Sequence, residues 1–195
     1  MRYRTTFPAF LFLIVSASPA AAQVAVRAAP STRASAEVTF ALVDSAARVN
    51  SNPAMIRLDY GQPHLRGRAI HTDSLVPYDK PWRTGANNAT TLDTDLDLVI
   101  GGKAVPRGKY IIETLPSRSG WKLLLIKEDA PAPATDTPYN PASYFAVIDL
   151  RGSTVAAPVE SLTMALIPAR GEGAPRGELR ISWGMTSQSV EWMVK

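Results

Sequence analysis

The sequence predicts an all-β protein, a single antiparallel β-sandwich of the jelly-roll kind. Three observations carry this. Apolar residues alternate with polar ones at a period of two in many short runs, which places one face of a strand in a core. The runs are separated by glycine- and proline-rich joints suited to tight turns. No stretch between them repeats at 3.6 residues for three turns, so the alternating βαβ pattern of a parallel sheet is excluded.

Taken in order, the runs are Val38, Phe40 and Leu42; Ile56, Leu58 and Tyr60; Leu96–Ile100; Lys103–Val105; Tyr110 and Ile112; Trp121, Leu123 and Leu125; Leu179, Ile181 and Trp183; and Val190, Trp192 and Val194. Gly101-Gly102 can supply the two positive φ angles of a type I′ hairpin. Pro106-Arg107-Gly108 introduces a strand at Lys109, Pro116–Gly120 joins two runs, and Gly184–Ser187 reads as the turn joining the last pair. Ala130–Pro141 contains four prolines, so it reads as a surface loop or a crossing between sheets. There is no internal repeat.

Ahead of this domain, Arg2 and Arg4, the apolar run Phe7–Val15 and Ala20-Ala21-Ala22 have the order of a secretory signal peptide over residues 1–22. Nine apolar residues are too few for a membrane span, which needs about 20. Residues 23–36, rich in Ala, Ser, Arg and Pro, read as a flexible leader, and the domain as residues 37–195. The expected location is periplasmic or secreted. Cleavage after Ala22 would leave 173 of the 195 residues and, by removing Arg2 and Arg4, lower the net charge from +4 to +2. Such a weak charge argues against a nucleic-acid partner, which requires a basic stripe.

Composition removes several chemistries. With no Cys there is no disulfide framework, thiolate metal site, cysteine nucleophile or lipidated N-terminal Cys. The chain has no Gly-x-Ser-x-Gly elbow, phosphate-binding Gly-x-x-x-x-Gly-Lys loop or His-Glu-x-x-His zinc motif. Ser119-Gly-Trp-Lys122 matches a Ser-x-x-Lys pattern, but its Lys lies in a run that alternates as a strand, whereas that chemistry sets Ser and Lys on one side of a helical turn. His64 and His71, with Asp59, Asp73 and Asp79 nearby, fit no metal-ligand spacing and read as loop histidines; neither metal nor cofactor is expected.

The segment Leu75–Thr90 concentrates the remaining chemistry. Tyr78 and Trp82 are flat and amphipathic, and Arg83, Thr84, Asn87 and Asn88 add polar donors and acceptors beside them. Aromatic platforms rimmed by planar polar groups suit a sugar or another polar small molecule. The bland alternative makes Trp82 a core residue, pairs Arg83 with an Asp and has Asn87 satisfy loop backbone.

Tyr60-Gly-Gln-Pro63, Arg66-Gly-Arg68, Leu75-Val-Pro-Tyr78, Trp82-Arg-Thr-Gly-Ala-Asn87, Ala89-Thr90, Gly108-Lys-Tyr110 and Pro158-Val-Glu160 together resemble the bacterial domain-of-unknown-function family 2911, from about Glu37 to the C-terminus. The resemblance implies an exported all-β domain without a settled activity. Where the family pattern usually has Arg, Gly and Glu, this chain has Gln62, Asp79 and Asn88. A chemistry that used that Glu as a base would lack it here.

The sequence therefore favours a non-catalytic binding module for a polar, glycan-like ligand, served by Tyr78, Trp82, Arg83, Thr84, Asn87 and Asn88. One rival is a hydrolase with Asp79 or Asp73 as base near Arg83, assisted by His64 or His71. The other is an envelope scaffold in which the motif serves folding alone. Binding requires exposed aromatics, hydrolysis a carboxylate and a His in one cleft, and scaffolding a buried motif.

Overall fold

A computed structural model describes residues 30–41, 52–72, 75–131, 133 and 138–195. Nine strands run β1 (Thr32–Phe40), β2 (Ala54–Gln62), β3 (Thr90–Thr94), β4 (Leu98–Ile100), β5 (Lys103–Val105), β6 (Gly108–Leu115), β7 (Trp121–Lys127), β8 (Ala146–Pro168) and β9 (Arg176–Val194). A single 3₁₀ turn, Pro141–Ser143, precedes β8, and there is no α-helix among the described residues. None of these elements is a helix able to cross a membrane. All strand pairs are antiparallel and form one sheet in the order β1-β2-β3-β6-β7-β8-β9-β4-β5.

The all-β, antiparallel expectation holds, and the sheet folds over on itself around one core. Beyond β2, the Pro63 carbonyl accepts the Leu162 N–H at 2.9 Å and the Leu65 N–H reaches the Glu160 carbonyl at 2.8 Å. The end of β2 thus pairs with the middle of β8, four places away in the sheet. The buried Tyr60 hydroxyl ties the same two strands by accepting the Met164 N–H at 3.1 Å. Across the interior, the Phe40 ring meets Trp192 edge-on at 6.2 Å. The residues at alternate positions of β2, β6, β7 and β9 named from the sequence do face this core; Leu58, Ile112, Leu123 and Leu125 are completely buried. The Gly101-Gly102 hairpin is also present, with φ of 53° and 80° joining β4 to β5.

Four strands differ from the sequence reading. β1 begins at Thr32, within the stretch assigned to a leader, and pairs with β2 from Thr32↔Gln62 to Phe40↔Ala54. Its inward positions include Ala34 and Ala36, whose small side chains give a weak period-two signal. The signal-peptide residues, residues 23–29 of the leader, and Leu42 lie outside the described residues. Second, Gly184–Ser187 is not a turn: β9 runs straight through it. Gly184, at φ 58°, opposes Val159, with register shifts on both sides of that pair. A bulge flips the facing of a strand, so the buried set passes from Leu179, Ile181 and Trp183 to Val190 and Trp192, a change of parity that mimics two strands. Third, β3 and β8 give no clear period-two signal in the sequence. Two of the inward positions of β3 are the buried Thr90 and Thr94, and the inward apolar residues of β8 stop at Leu150 and resume at Leu162.

Candidate functional site

The segment 75–90 is laid across the end of β6 by main-chain bonds. The Asp79 N–H donates to the Pro116 carbonyl at 2.8 Å, and Trp82 and Thr114 exchange both N–H···O=C bonds at 2.7 and 2.8 Å. Three of its non-glycine residues, Asp79, Thr84 and Asn87, have φ between 52° and 62°, a region that Asp and Asn enter readily and a β-branched Thr only when the surroundings compel it. For the buried Thr84 the surroundings are visible. Its hydroxyl lies 3.1 Å from both the Trp82 carbonyl and the Thr114 hydroxyl, and its carbonyl accepts from the Thr90 hydroxyl at 2.9 Å.

Trp82 is buried. Its ring stacks on Trp183 at 5.9 Å and 8°, and Trp121 meets it edge-on at 6.3 Å. Tyr78 is half-buried, but His71 covers one face at 4.3 Å and the Arg118 guanidinium stands over the ring at 4.8 Å. Neither aromatic presents an open platform for a sugar. Trp82 and Thr84 are core residues, because a sheet that folds over needs large and hydrogen-bonded side chains to fill the corner where the segment crosses β6.

Arg83, Asn87 and Asn88 are exposed. Arg83 donates to the Asn87 carbonyl at 3.1 Å and makes no ion pair among the described residues, so the expected Asp partner is not found. The Asn87 amide donates to the Ser31 carbonyl at 3.3 Å. Asn88 and Ala89 offer their carbonyls to Arg33, at 3.1 and 2.8 Å, and the Arg33 Nε donates to Asp59 at 2.6 Å. Arg33 therefore clamps the segment onto β2, a role hidden from the sequence because Arg33 lies in residues read as leader.

Arg33 and Asn88 belong to a polar groove of about 400 Å³ that also takes in Arg57, Asp59, Asp93 and Lys109. Strand register builds it. Glu37, Arg57, Asp93 and Lys109 are successive partners across β1, β2, β3 and β6, so charge alternates along the outer face. Arg57 pairs with Glu37 at 3.4 Å and Asp59 at 3.7 Å, and Lys109 with Glu128 at 3.1 Å. The outward positions of period-two strands carried this signal, but only known pairing puts them side by side.

A hydrolytic constellation is not assembled among the described residues. His64 shares a 2.7 Å hydrogen bond with Ser161, and the His71 Nδ1 lies 3.4 Å from the Val76 carbonyl; neither ring is hydrogen-bonded to a carboxylate among the described residues. Burial, helped by the charge of Arg118, holds the His71 pKa below its ordinary value despite the Val76 carbonyl. Asp73 lies outside the described residues. Lys122 pairs with Asp149 and Ser119 with Ser117, so the Ser-x-x-Lys pattern is not joined in a site.

The strings that carry the family resemblance converge in space. Ala86 donates to the Gly61 carbonyl at 3.2 Å, the Glu160 carboxylate accepts the Arg66 N–H at 2.8 Å, and the Glu160 carbonyl accepts from the Trp183 indole at 3.2 Å. A family model described as "Protein of unknown function (DUF2911)" matches residues 44–192. The chain belongs to the DUF2911 family. The match runs from before β2 nearly to the end of β9, so β1 and its Arg33 clamp precede the DUF2911 region. No curated protein and no solved structure matches the chain.

Proposed function

We propose that this DUF2911 chain is an exported, non-catalytic module that binds a polar, polyhydroxylated ligand of the glycan type in the groove beside Asn88. The observation that carries the reading is the mixed-sign lining: Arg33, Arg57 and Lys109 stand among Asp59 and Asp93. Both donors and acceptors are then within reach of adjacent hydroxyl groups, while neither an anion nor a cation finds a field of one sign. Asp93, half-buried and without an ion pair among the described residues, is the acceptor for a pair of ligand hydroxyls. Arg33, fixed by three backbone carbonyls and Asp59, keeps an Nη1–H as a preorganised donor. Export is supported by Arg2, Arg4, the Phe7–Val15 run and Ala20–Ala22.

The test is a glycan-array screen of the exported chain alongside Asp93→Asn and Asn88→Asp, with melting curves on the same samples. Binding by the wild type that Asp93→Asn abolishes without lowering the melting temperature is the expected result. A blank array for a folded wild type would overturn this reading in favour of the second one, an envelope scaffold. Burial of Trp82 and Thr84 inside the family motif supports that second reading.

A further inference from the structure

We infer a second, chemically different site, for a single-chain amphiphilic carboxylate, where β9 passes between β8 and β4. A pocket of about 640 Å³ lies there and shares no residue with the polar groove. Its volume is in the range of sites for small organic ligands, roughly 300–1,000 Å³. Val99, Ile167, Pro168, Trp192 and Met193 make its apolar walls, and Ile167 and Met193, 37% and 41% exposed, give it an apolar rim in one place.

Two donors meet this apolar surface. The indole N–H of Trp192 is buried yet has no hydrogen-bond partner among the described residues. Buried donors are nearly always paired, so an unpaired one in a pocket wall is a place for an acceptor. Gly177 lets that ring pack flush against the β9 main chain beneath the pocket: a Cβ there would collide with the indole and with the Ile167 carbonyl. The second donor is Arg176. Within the pocket, Glu178 is taken by Arg180 and Arg151, and Glu191 by Arg151. Arg176 makes no ion pair among the described residues; its Nη1 donates at 3.1 Å to the Glu172 carbonyl, leaving the rest of the guanidinium for an anion. A carboxylate at Arg176 with an acyl chain along Ile167 and Met193 satisfies the charge and covers the apolar wall. Met193 suits a flexible chain because its own side chain adapts to the shape of what it meets.

The probe is dodecanoate, titrated into the full chain by calorimetry and by following indole N–H resonances, that of Trp192 being assigned with Trp192→Phe. Dodecanoate is expected to bind at micromolar concentration, to shift the Trp192 resonance more than those of Trp82, Trp121 and Trp183, and to bind at least tenfold more weakly to Arg176→Gln. Dodecanol should bind wild type and Arg176→Gln alike. Ile167→Glu, at an exposed position, should weaken both ligands at unchanged melting temperature. No binding at millimolar dodecanoate, equal affinity in Arg176→Gln, or shifts spread evenly over the four indoles would overturn the inference. Sedimentation with phosphatidylglycerol vesicles in the absence of dodecanoate binding would do so too, by pointing to a membrane acyl chain. Asp93→Asn leaves this site intact, so failure here is separable from failure of the polar groove.

Discussion

Gly61 of β2 and Ala86 of the Trp-Arg-Thr-Gly-Ala-Asn string touch backbone to backbone, and a methyl group built on Gly61 would overlap the Ala86 carbonyl. Gly85 makes the reciprocal approach, where a Cβ would come 2.9 Å from both the Gly61 carbonyl and the Thr90 hydroxyl. Two strings far apart in sequence are thus glycine-dependent for one reason: the main chains cross without room for a side chain. Gly61→Ala should destabilise the fold by about 3 kcal/mol, the upper part of the overpacking range, because the obstacle is main chain and cannot rotate away. Gly67→Ala is the control: although its φ is +74°, nothing stands within 4 Å of its Cβ, so only the backbone strain, about 1 kcal/mol, should appear. Urea denaturation of the two variants checks the difference, and equal losses would contradict the crossing.

Trp82 and Arg83 are neighbours with opposite roles. Trp82→Ala removes a ring packed on Trp183 and Trp121 and should cost about 3–5 kcal/mol. Arg83→Lys changes an exposed side chain whose one hydrogen bond among the described residues is to the Asn87 carbonyl, and should cost under about 0.5 kcal/mol. Arg33→Ala, which frees the Asn88 and Ala89 carbonyls and leaves Asp59 with Arg57 alone, should fall between them at about 1–2 kcal/mol. A large loss in Arg83→Lys would mean the guanidinium has a structural carboxylate partner after all.

How much of this was legible follows from where each signal resides. Leu123 and Leu125 announced their strand because their alternation is local and strongly apolar, and Gly101-Gly102 announced a hairpin because positive φ is a local demand. The parity change in β9 was legible too, yet a bulge and a turn leave the same trace in a single strand; only β8, lying alongside, distinguishes them. The site suffered more. Tyr78 and Trp82 look alike as platforms in sequence, and what disqualifies them is His71, Arg118 and Trp183 arriving from elsewhere in the chain. Conversely, Asp93 carries no motif, and nothing in the Gly108-Lys-Tyr110 string marks Lys109 as its neighbour; the two matter because register seats them side by side.

His71 links the stacked Tyr78 to pH. Burial first, then the positive charge of Arg118, holds its pKa below the ordinary 6.5. As pH falls through about 6.5 the unfolded chain takes up a proton that the folded chain resists, so stability drops with acidification until the folded pKa is passed. Charging the ring would also set a second cation against Arg118 across Tyr78. Urea midpoints should therefore fall between pH 8 and pH 5.5 in the wild type and fall less in His71→Phe, which keeps the ring and removes the titration. Identical pH profiles would show that His71 titrates normally.

Glu113 should give the opposite slope. Burial raises its pKa above the usual 4.5, and the Tyr144 hydroxyl, donating to its Oε2 at 3.3 Å, pulls it partly back by favouring the charged form. For a raised carboxyl the folded state holds its proton longer than the unfolded one. The contribution is thus fully present below about 4.5 and is lost as pH rises through the folded pKa. Other groups titrate in the same interval, His71 with the reverse sign, so the quantity to read is the stability of the wild type minus that of Glu113→Gln at each pH. That difference should decline from pH 4 toward neutrality. Tyr144→Phe removes the hydrogen bond that favours the carboxylate, so its folded pKa should rise further and the decline, referred to Tyr144→Phe/Glu113→Gln, should be larger. A flat difference in both backgrounds would place Glu113 in water rather than half-buried beside the Tyr144 hydroxyl, and a smaller decline in Tyr144→Phe would reverse the role assigned to the hydroxyl.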